Sequence, residues 1–194
     1  MNIPEIKSEI EKAVPAVKLR LVRDTILVEN PADLPAVAKF LKDSESYRLD
    51  YLSGVTGADY REYLESVYHL YSMEKKTGPA VLRVRVPRDN PRVPSLVPIY
   101  RGAEFQEREA YDMYGIFYEN HPDLRRIFMW EGFEGFPMRK DYAQEDSETL
   151  ETEDIEWLEA RGAKVPEEMK RQAEALKKQG KRALAQKPGQ PEPA

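Results

Sequence analysis

Alternation at period two marks the middle of this chain. Leu82, Val84 and Val86 alternate with Arg83 and Arg85, which predicts a strand over 81–86 with its apolar members inward and its arginines toward solvent. Leu64, Ser66, Tyr68 and Leu70 point one way and Tyr63, Glu65, Val67 and His69 the other, giving a second strand over 64–71. A third candidate, 49–55, is interrupted by Gly54 and Gly57. Nearer the N-terminus, Val17, Leu19 and Leu21 alternate with Lys18 and Arg20, and Ile26 and Val28 resume the pattern after Arg23-Asp24, as in a hairpin. Helical spacing governs Ile6, Ile10 and Val14 within 4–14. It returns in Leu34, Val37, Ala38 and Leu41, a helix opened by Pro31 and left at Asp43-Ser44. The order helix, two strands, helix, three strands predicts a two-layer α+β domain, with helices on one face of a mostly antiparallel or mixed sheet of about five strands.

Pro87, Pro91, Pro94 and Pro98 then leave little room for continuous secondary structure. They lead into the stretch around which the chain is organised, 103–142. Its first third predicts a short helix, with Gly115 at a left-handed C-terminal cap. Glu104, Arg108 and Asp112 fall four apart on it, placing an arginine between two carboxylates. After Gly115 regular structure is hard to argue, because Pro122 holds His121 out of helical geometry and Gly132, Gly135 and Pro137 impose an irregular, extended course. Such a run cannot bury its own apolar groups. Ile127, Phe128, Met129, Trp130, Phe133 and Phe136 therefore need a surface, either on this domain or on another protein.

After Tyr142 the composition changes. Residues 144–159 carry acids and no base, with Ile155, Trp157 and Leu158 able to seat a short helix. Past Arg161 the sign reverses and Met169, Leu176 and Ala183 form a thin stripe, predicting a solvated or partner-dependent helix and then a disordered PGQPEPA end. The expected organisation is thus a domain over 1–142, with an extended docking segment at 115–142, and a charged tail over 143–194 that is helical in part. A length of 194 residues suits one domain plus such an appendage.

Charge and composition narrow the chemistry. A net charge of -5 argues against nucleic acid as the main partner. The absence of cysteine removes disulfides, thiolate metal sites and iron–sulfur ligation by this chain. The N-terminal MNIPEIKSEIEK lacks a signal-peptide pattern, and no apolar run approaches the roughly 18 residues of a membrane span, so the chain is expected to be soluble and tied to a membrane only through partners. Metal binding by Glu107, Glu109, Asp112 and Asp123 is opposed by Arg108, Arg125 and Arg126 among them. Glu107 and Glu109 diverge on a helix, which suits paired-acid hydrolysis poorly. No nucleophile elbow or phosphate loop is present. His121 before a proline in a charged loop is expected to hold that loop by hydrogen bonds. What remains is a docking reading: Arg125, Arg126, Arg139 and Lys140 offer donors, Asp123 and Asp141 hold them, and Arg and Trp130 are anchor types. The same groups would equally serve to clamp the segment onto its own domain.

At EREAYDMYGIFYENHPDLRRI (Glu107 to Ile127) followed by GFPMRKDY (Gly135 to Tyr142), the chain resembles the C subunit of respiratory complex I, the proton-pumping NADH:quinone oxidoreductase, including its cyanobacterial and chloroplast counterparts. SVYHLYSM (Ser66 to Met73) and VRVPRDNPRVPSL (Val84 to Leu96) extend the likeness more weakly, and the tail after Tyr142 lies outside it. Tyr114, Asn120, Phe136 and Met138 are mild departures from the family pattern. The resemblance implies a non-catalytic subunit of the peripheral arm, on the cytoplasmic face of the inner (or thylakoid) membrane. It implies docking on the D subunit, which forms the quinone site, beside the B and I subunits. No cofactor would be bound by this chain, while the complex uses NAD (or ferredoxin), FMN, iron–sulfur clusters and quinone. The motif residues this implies are Glu107, Arg108, Glu109, Asp112, Gly115, His121, Pro122, Asp123, Arg125, Arg126, Trp130, Arg139, Lys140 and Asp141. A membrane-bound hydrogenase-type complex and a stand-alone carboxylate-dependent hydrolase are the alternatives.

Overall fold

The run with the clearest alternation is the middle of the sheet. The computed structural model describes residues 2–142, 152–162, 164–171, 173–175 and 177, and these belong to two units, Met1–Tyr142 and Ala143–Ala194. In the first unit α1 (Ile3–Ala13) buries Ile3, Ile6 and Ile10. The hairpin β1 (Leu19–Val22) and β2 (Thr25–Val28) follows. A 3-10 turn (Pro31–Asp33), on which the Asn30 side chain accepts the Ala32 N–H, leads into α2 (Leu34–Asp43). An antiparallel meander comes next, β3 (Tyr51–Asp59), β4 (Tyr63–Ser72) and β5 (Thr77–Pro87).

The five strands order as β1-β2-β5-β4-β3. Consecutive strands pair antiparallel through tight turns, as expected, but β2 meets β5 in parallel with Ile26 opposite Leu82 and Val28 opposite Val84. The sheet is therefore mixed. One face carries the core: Ile26, Val28, Leu64, Tyr68, Leu70, Leu82, Val84 and Val86 pack with Ile6, Ile10, Leu34, Val37 and Leu41 from the helices. At about 25 cal/mol per Å² of apolar surface, each such side chain contributes about 2 kcal/mol when removed from water.

Three expectations change. Strand β3 runs through both glycines: the ladder shifts register between Leu52 and Gly54, and a Cβ at Gly57 would overlap the Tyr114 ring, so glycine is what lets the helix approach. Arg83 and Arg85 do not simply face solvent, since both fold over Glu65 of β4, whose side chain is fully buried. The proline-rich connection does hold structure: β6 (Arg92–Pro94) pairs in parallel with β7 (Phe117–Glu119), bounded by Phe117 N–H to the Pro91 carbonyl at 2.7 Å and Ser95 N–H to the Glu119 carbonyl at 2.9 Å. A parallel pair leaves alternate groups unpaired, so the missing N–H of Pro94 is tolerated at this edge.

In the second unit α4 (Thr152–Ala160) contains Ile155 and Trp157, where a short helix was expected. Helical turns at 167–171 and 173–175 run back beside it, as Glu159 pairs with Lys170 at 2.6 Å and Thr152 Oγ1 accepts from Lys177 at 2.9 Å. Ile155 and Ala173 are buried, while Trp157 is exposed with the Arg161 guanidinium 3.7 Å over its ring. The expectations for 143–151 and 178–194, including the disordered end, lie outside the described residues.

Candidate functional site

The helix α3 (Ala103–Tyr114) packs on β3 and presents Glu107, Arg108 and Asp112 to three different tasks. It ends at Gly115, whose φ of 70° and N–H to the Tyr111 carbonyl at 2.8 Å make the expected left-handed cap. The Phe136 ring lies where a Cβ on Gly115 would be, so the cap is also a seat for the segment that follows.

Glu107 and Asp112 are both fully buried. Glu107 turns into the core, accepting Ser95 Oγ–H at 2.6 Å and the Leu96 N–H at 2.8 Å. Burial pushes its carboxyl up to about 7, against the pull of those two donors. Beside it Tyr118 shares a hydrogen bond with Ser66 at 2.9 Å, and the buried Tyr68 hydroxyl has no partner among the described residues. Burial raises both phenols. Asp112 faces the other way. Its Oδ2 accepts the N–H groups of Ile127, Phe128 and Met129 at 3.0, 2.7 and 2.9 Å, and its Oδ1 accepts Arg126 Nη1 at 2.7 Å. Burial works to raise it, but these donors outweigh burial and hold the carboxyl below its usual range.

Arg108 does not bridge Glu104 and Asp112 as the spacing suggested. Its Nε and Nη2 donate to the carbonyls of Arg125 and Arg126 at 3.1 and 3.2 Å, because Asp112 is already saturated by the loop. Arg126 is the centre of the clamp: besides Asp112 it donates to the Phe133 and Gly135 carbonyls at 3.1 and 2.9 Å and lies over the Phe133 and Phe136 rings. His121 accepts the Asp123 N–H at Nδ1 (3.0 Å), which leaves Nε2 to donate to the Glu104 carbonyl at 2.9 Å. It holds the loop against α3, while Pro122 beside it is exposed.

The far end of the segment is anchored by Arg139, Lys140 and Asp141, which the sequence singled out, and by Asp59 and Arg88, which it did not. Arg139 Nε donates to the Tyr114 carbonyl at 2.6 Å. The Lys140 N–H reaches Asp59 Oδ2 at 2.6 Å, and Arg88 bridges Asp59 and Asp141. Asp59 at the end of β3 is a buried acid among strand residues, and its position before the Tyr60–Arg61–Glu62 turn was the available signal.

Glu109 and the side chains of Asp123 and Arg125 face outward; among the described residues the last two pair only with each other, at 2.9 Å. The larger outward feature is apolar. Phe105 (60%), Phe128 (60%), Trp130 (68%) and Met138 (54%) stand exposed on α3 and the segment clamped to it. The carboxylates weighed for hydrolysis or metal binding are not brought together: Glu107 enters the core, Asp112 the loop, and Glu109 solvent. Among the described residues no three His, Asp or Glu side chains converge as metal ligands.

The model of the family described as "Respiratory-chain NADH dehydrogenase, 30 Kd subunit" matches residues 27–148, which include α3 and the whole segment. A C subunit of the NADH-quinone oxidoreductase of Rhizobium meliloti (strain 1021), the one numbered 2, is 46% identical over 118 residues, 58% of this chain and 62% of the relative. The J subunit of the chloroplastic NAD(P)H-quinone oxidoreductase of Cryptomeria japonica is 51% identical over 86 residues, 43% of this chain and 54% of the relative. This chain thus spans about three-fifths of the bacterial relative it matches. Among solved structures, a chain of the membrane-bound sulfane sulfur reductase, an archaeal respiratory membrane complex, superposes with a TM-score of 0.59 at 25% identity, covering 72% of this chain and 85% of that one. On the family match across 27–148, the chain belongs to the 30 Kd subunit family of the respiratory-chain NADH dehydrogenase.

Proposed function

We propose that this chain is a non-catalytic structural subunit in the peripheral arm of a proton-pumping NADH (or ferredoxin):quinone oxidoreductase. In this reading it docks on the quinone-site D subunit, beside the B and I subunits, at the cytoplasmic face of the membrane. Electron transfer to quinone then belongs to the assembly, whose NAD, FMN, iron–sulfur clusters and quinone are held by other chains. One observation carries the proposal. Backbone groups of the segment at 125–129, 133 and 135 are bonded by Asp112, Arg126 and Arg108, while Phe128 and Trp130 stand exposed on the segment so held. Burying such rings in the chain's own core would have been worth about 2 kcal/mol each. Pre-ordered aromatic anchors with neighbouring arginines are what a protein interface uses. No helix among the described residues is long and apolar enough to cross a membrane, so attachment runs through partners in this reading.

The test is affinity purification from native membranes in mild detergent. Wild type should bring down the quinone-site subunit; Phe128→Ala with Trp130→Ala should reduce that recovery at least tenfold without shifting the circular dichroism melt. Undiminished recovery would remove the docking role of this face. A second reading is a subunit of a hydrogenase-type membrane complex; what supports looking beyond the NADH-quinone oxidoreductase is the fold match to a chain of a different membrane-bound respiratory complex, the sulfane sulfur reductase. A nickel-site large subunit recovered where the quinone-site subunit is expected would decide for it.

A further inference from the structure

The sheet has a second face, opposite the core, and among the described residues no helix of the first unit lies on it. Register places Thr56, Val67, Arg83, Leu27 and Arg20 side by side across it, with Ala58, Glu65 and Arg85 in the adjoining row. Glu65 has no exposure at all, although it belongs to this face. Its cover is made of arginine. Arg83 Nε donates to one carboxylate oxygen, and Arg85 Nε donates to the other at 3.0 Å. Both guanidinium groups are also fixed from the side. Arg85 lies 4.5 Å over the Tyr63 ring, Arg83 Nη2 donates to the Tyr60 hydroxyl at 3.0 Å, and Tyr60 stacks on Tyr63 at 4.8 Å.

Two cations thus share one buried anion, and a positive charge is left over. Donors are left unused: Arg85 Nη1 and Nη2 and Arg83 Nη1 have no acceptor among the described residues. A solvated sheet face can be served by Thr, Lys and Glu. This one instead holds its guanidinium groups in place, at an entropic disadvantage to a free chain, and flanks them with Tyr63 and with Tyr60, which is 37% exposed. A fixed guanidinium fork with both Nη groups open matches a carboxylate bidentately, and Tyr with Arg is the composition of an interface anchor. The surplus is a single charge beside a buried carboxylate, which is too little for a phosphate-rich polymer or an anionic lipid surface.

We propose that this sheet face is a second docking surface, and that it takes an acidic segment of a neighbouring protein subunit whose Asp or Glu carboxylate is gripped by Arg85 and Arg83. The proposal rests on the chain being part of a multi-subunit assembly, and not on the Phe128–Trp130 face.

Carbodiimide coupling in the assembled complex tests it, because the reagent joins a lysine amine to a carboxylate only at contact distance and leaves arginine unreacted. The Arg85→Lys chain, and separately Thr56→Lys on the exposed neighbouring strand, would be exchanged for wild type, the complex purified and coupled, and the products identified by mass spectrometry. The expected product joins the introduced lysine, at position 85 or 56, to an Asp or Glu of another subunit, and is absent from wild type. Arg85→Gln should in addition lower retention of the chain several-fold as salt is raised. Coupling to Glu65 alone, or no coupling at either position in a chain still recovered with its assembly, would overturn the proposal. Recovery of the wild-type chain with no other subunit would overturn the subunit reading itself, and this surface with it.

Discussion

Asp112 and Arg126 form a largely buried pair, Arg126 Nη1 to Asp112 Oδ1 at 2.7 Å, in which each partner also binds backbone of the same segment. The pair is therefore a fold element, which separates Arg126 from its neighbour. Arg126→Ala should remove about 3 kcal/mol, because it strands a buried carboxylate and three carbonyls, and should lower Tm by about 6–12 °C. Arg125→Ala breaks only an exposed pair with Asp123 and should leave the melt unchanged. Equal effects in parallel thermal melts would contradict this division of labour.

Acid should loosen the segment through Asp112. A carboxyl held below its usual range in the folded chain stabilises at pH above the unfolded value, and that stability is lost as pH falls through the depressed folded value. The difference in urea midpoint between wild type and Asp112→Asn should accordingly be largest near neutral pH and shrink as pH falls below the usual carboxylate range. A difference that stays constant with pH would show that the charge is not what binds the loop.

Glu107 has the opposite sign. The folded chain keeps this proton up to about 7, whereas the unfolded chain releases it near 4.5. Between those values the folded state binds more protons, so stability from this group falls as pH rises, by at most about 3 kcal/mol. Glu107→Gln can still accept the Leu96 N–H and should flatten that slope, ending as stable as wild type or more so at pH above 7. The readout is Tm of both proteins across the window; parallel curves would rule the idea out.

Gly115→Ala should destabilise by about 1–2 kcal/mol for the left-handed backbone alone, and by more because the new methyl meets the Phe136 ring. A companion Phe136→Ala change should recover part of the second loss and none of the first. Additive melting shifts in the double variant would show that ring and methyl do not touch.

Local patterns were legible where one residue decides one conformation. Val84 and its neighbours announce β5, Gly115 its cap, and His121-Pro122 its loop. Illegible were the pairings between distant residues. Nothing near Val28 says that it lies parallel to Val84, and nothing near Arg108 says that its acceptors are the carbonyls of Arg125 and Arg126. Gly54 and Gly57 read as interruptions because glycine weakens an isolated strand, yet a bulge and the Tyr114 ring give both a place inside β3. Arg83 and Arg85 read as solvent-facing because alternation reports which side of a strand a residue takes, and Glu65, their partner, sits on the strand beside them.

The parallel meeting of β2 with β5 also dictates an order of assembly. The β3–β4–β5 meander closes through short turns, whereas the N-terminal hairpin must find an edge of β5 that exists only after the meander has formed. Truncating Ile26 in that late-arriving hairpin should speed unfolding while leaving the refolding rate nearly untouched, and truncating Leu82 should slow refolding.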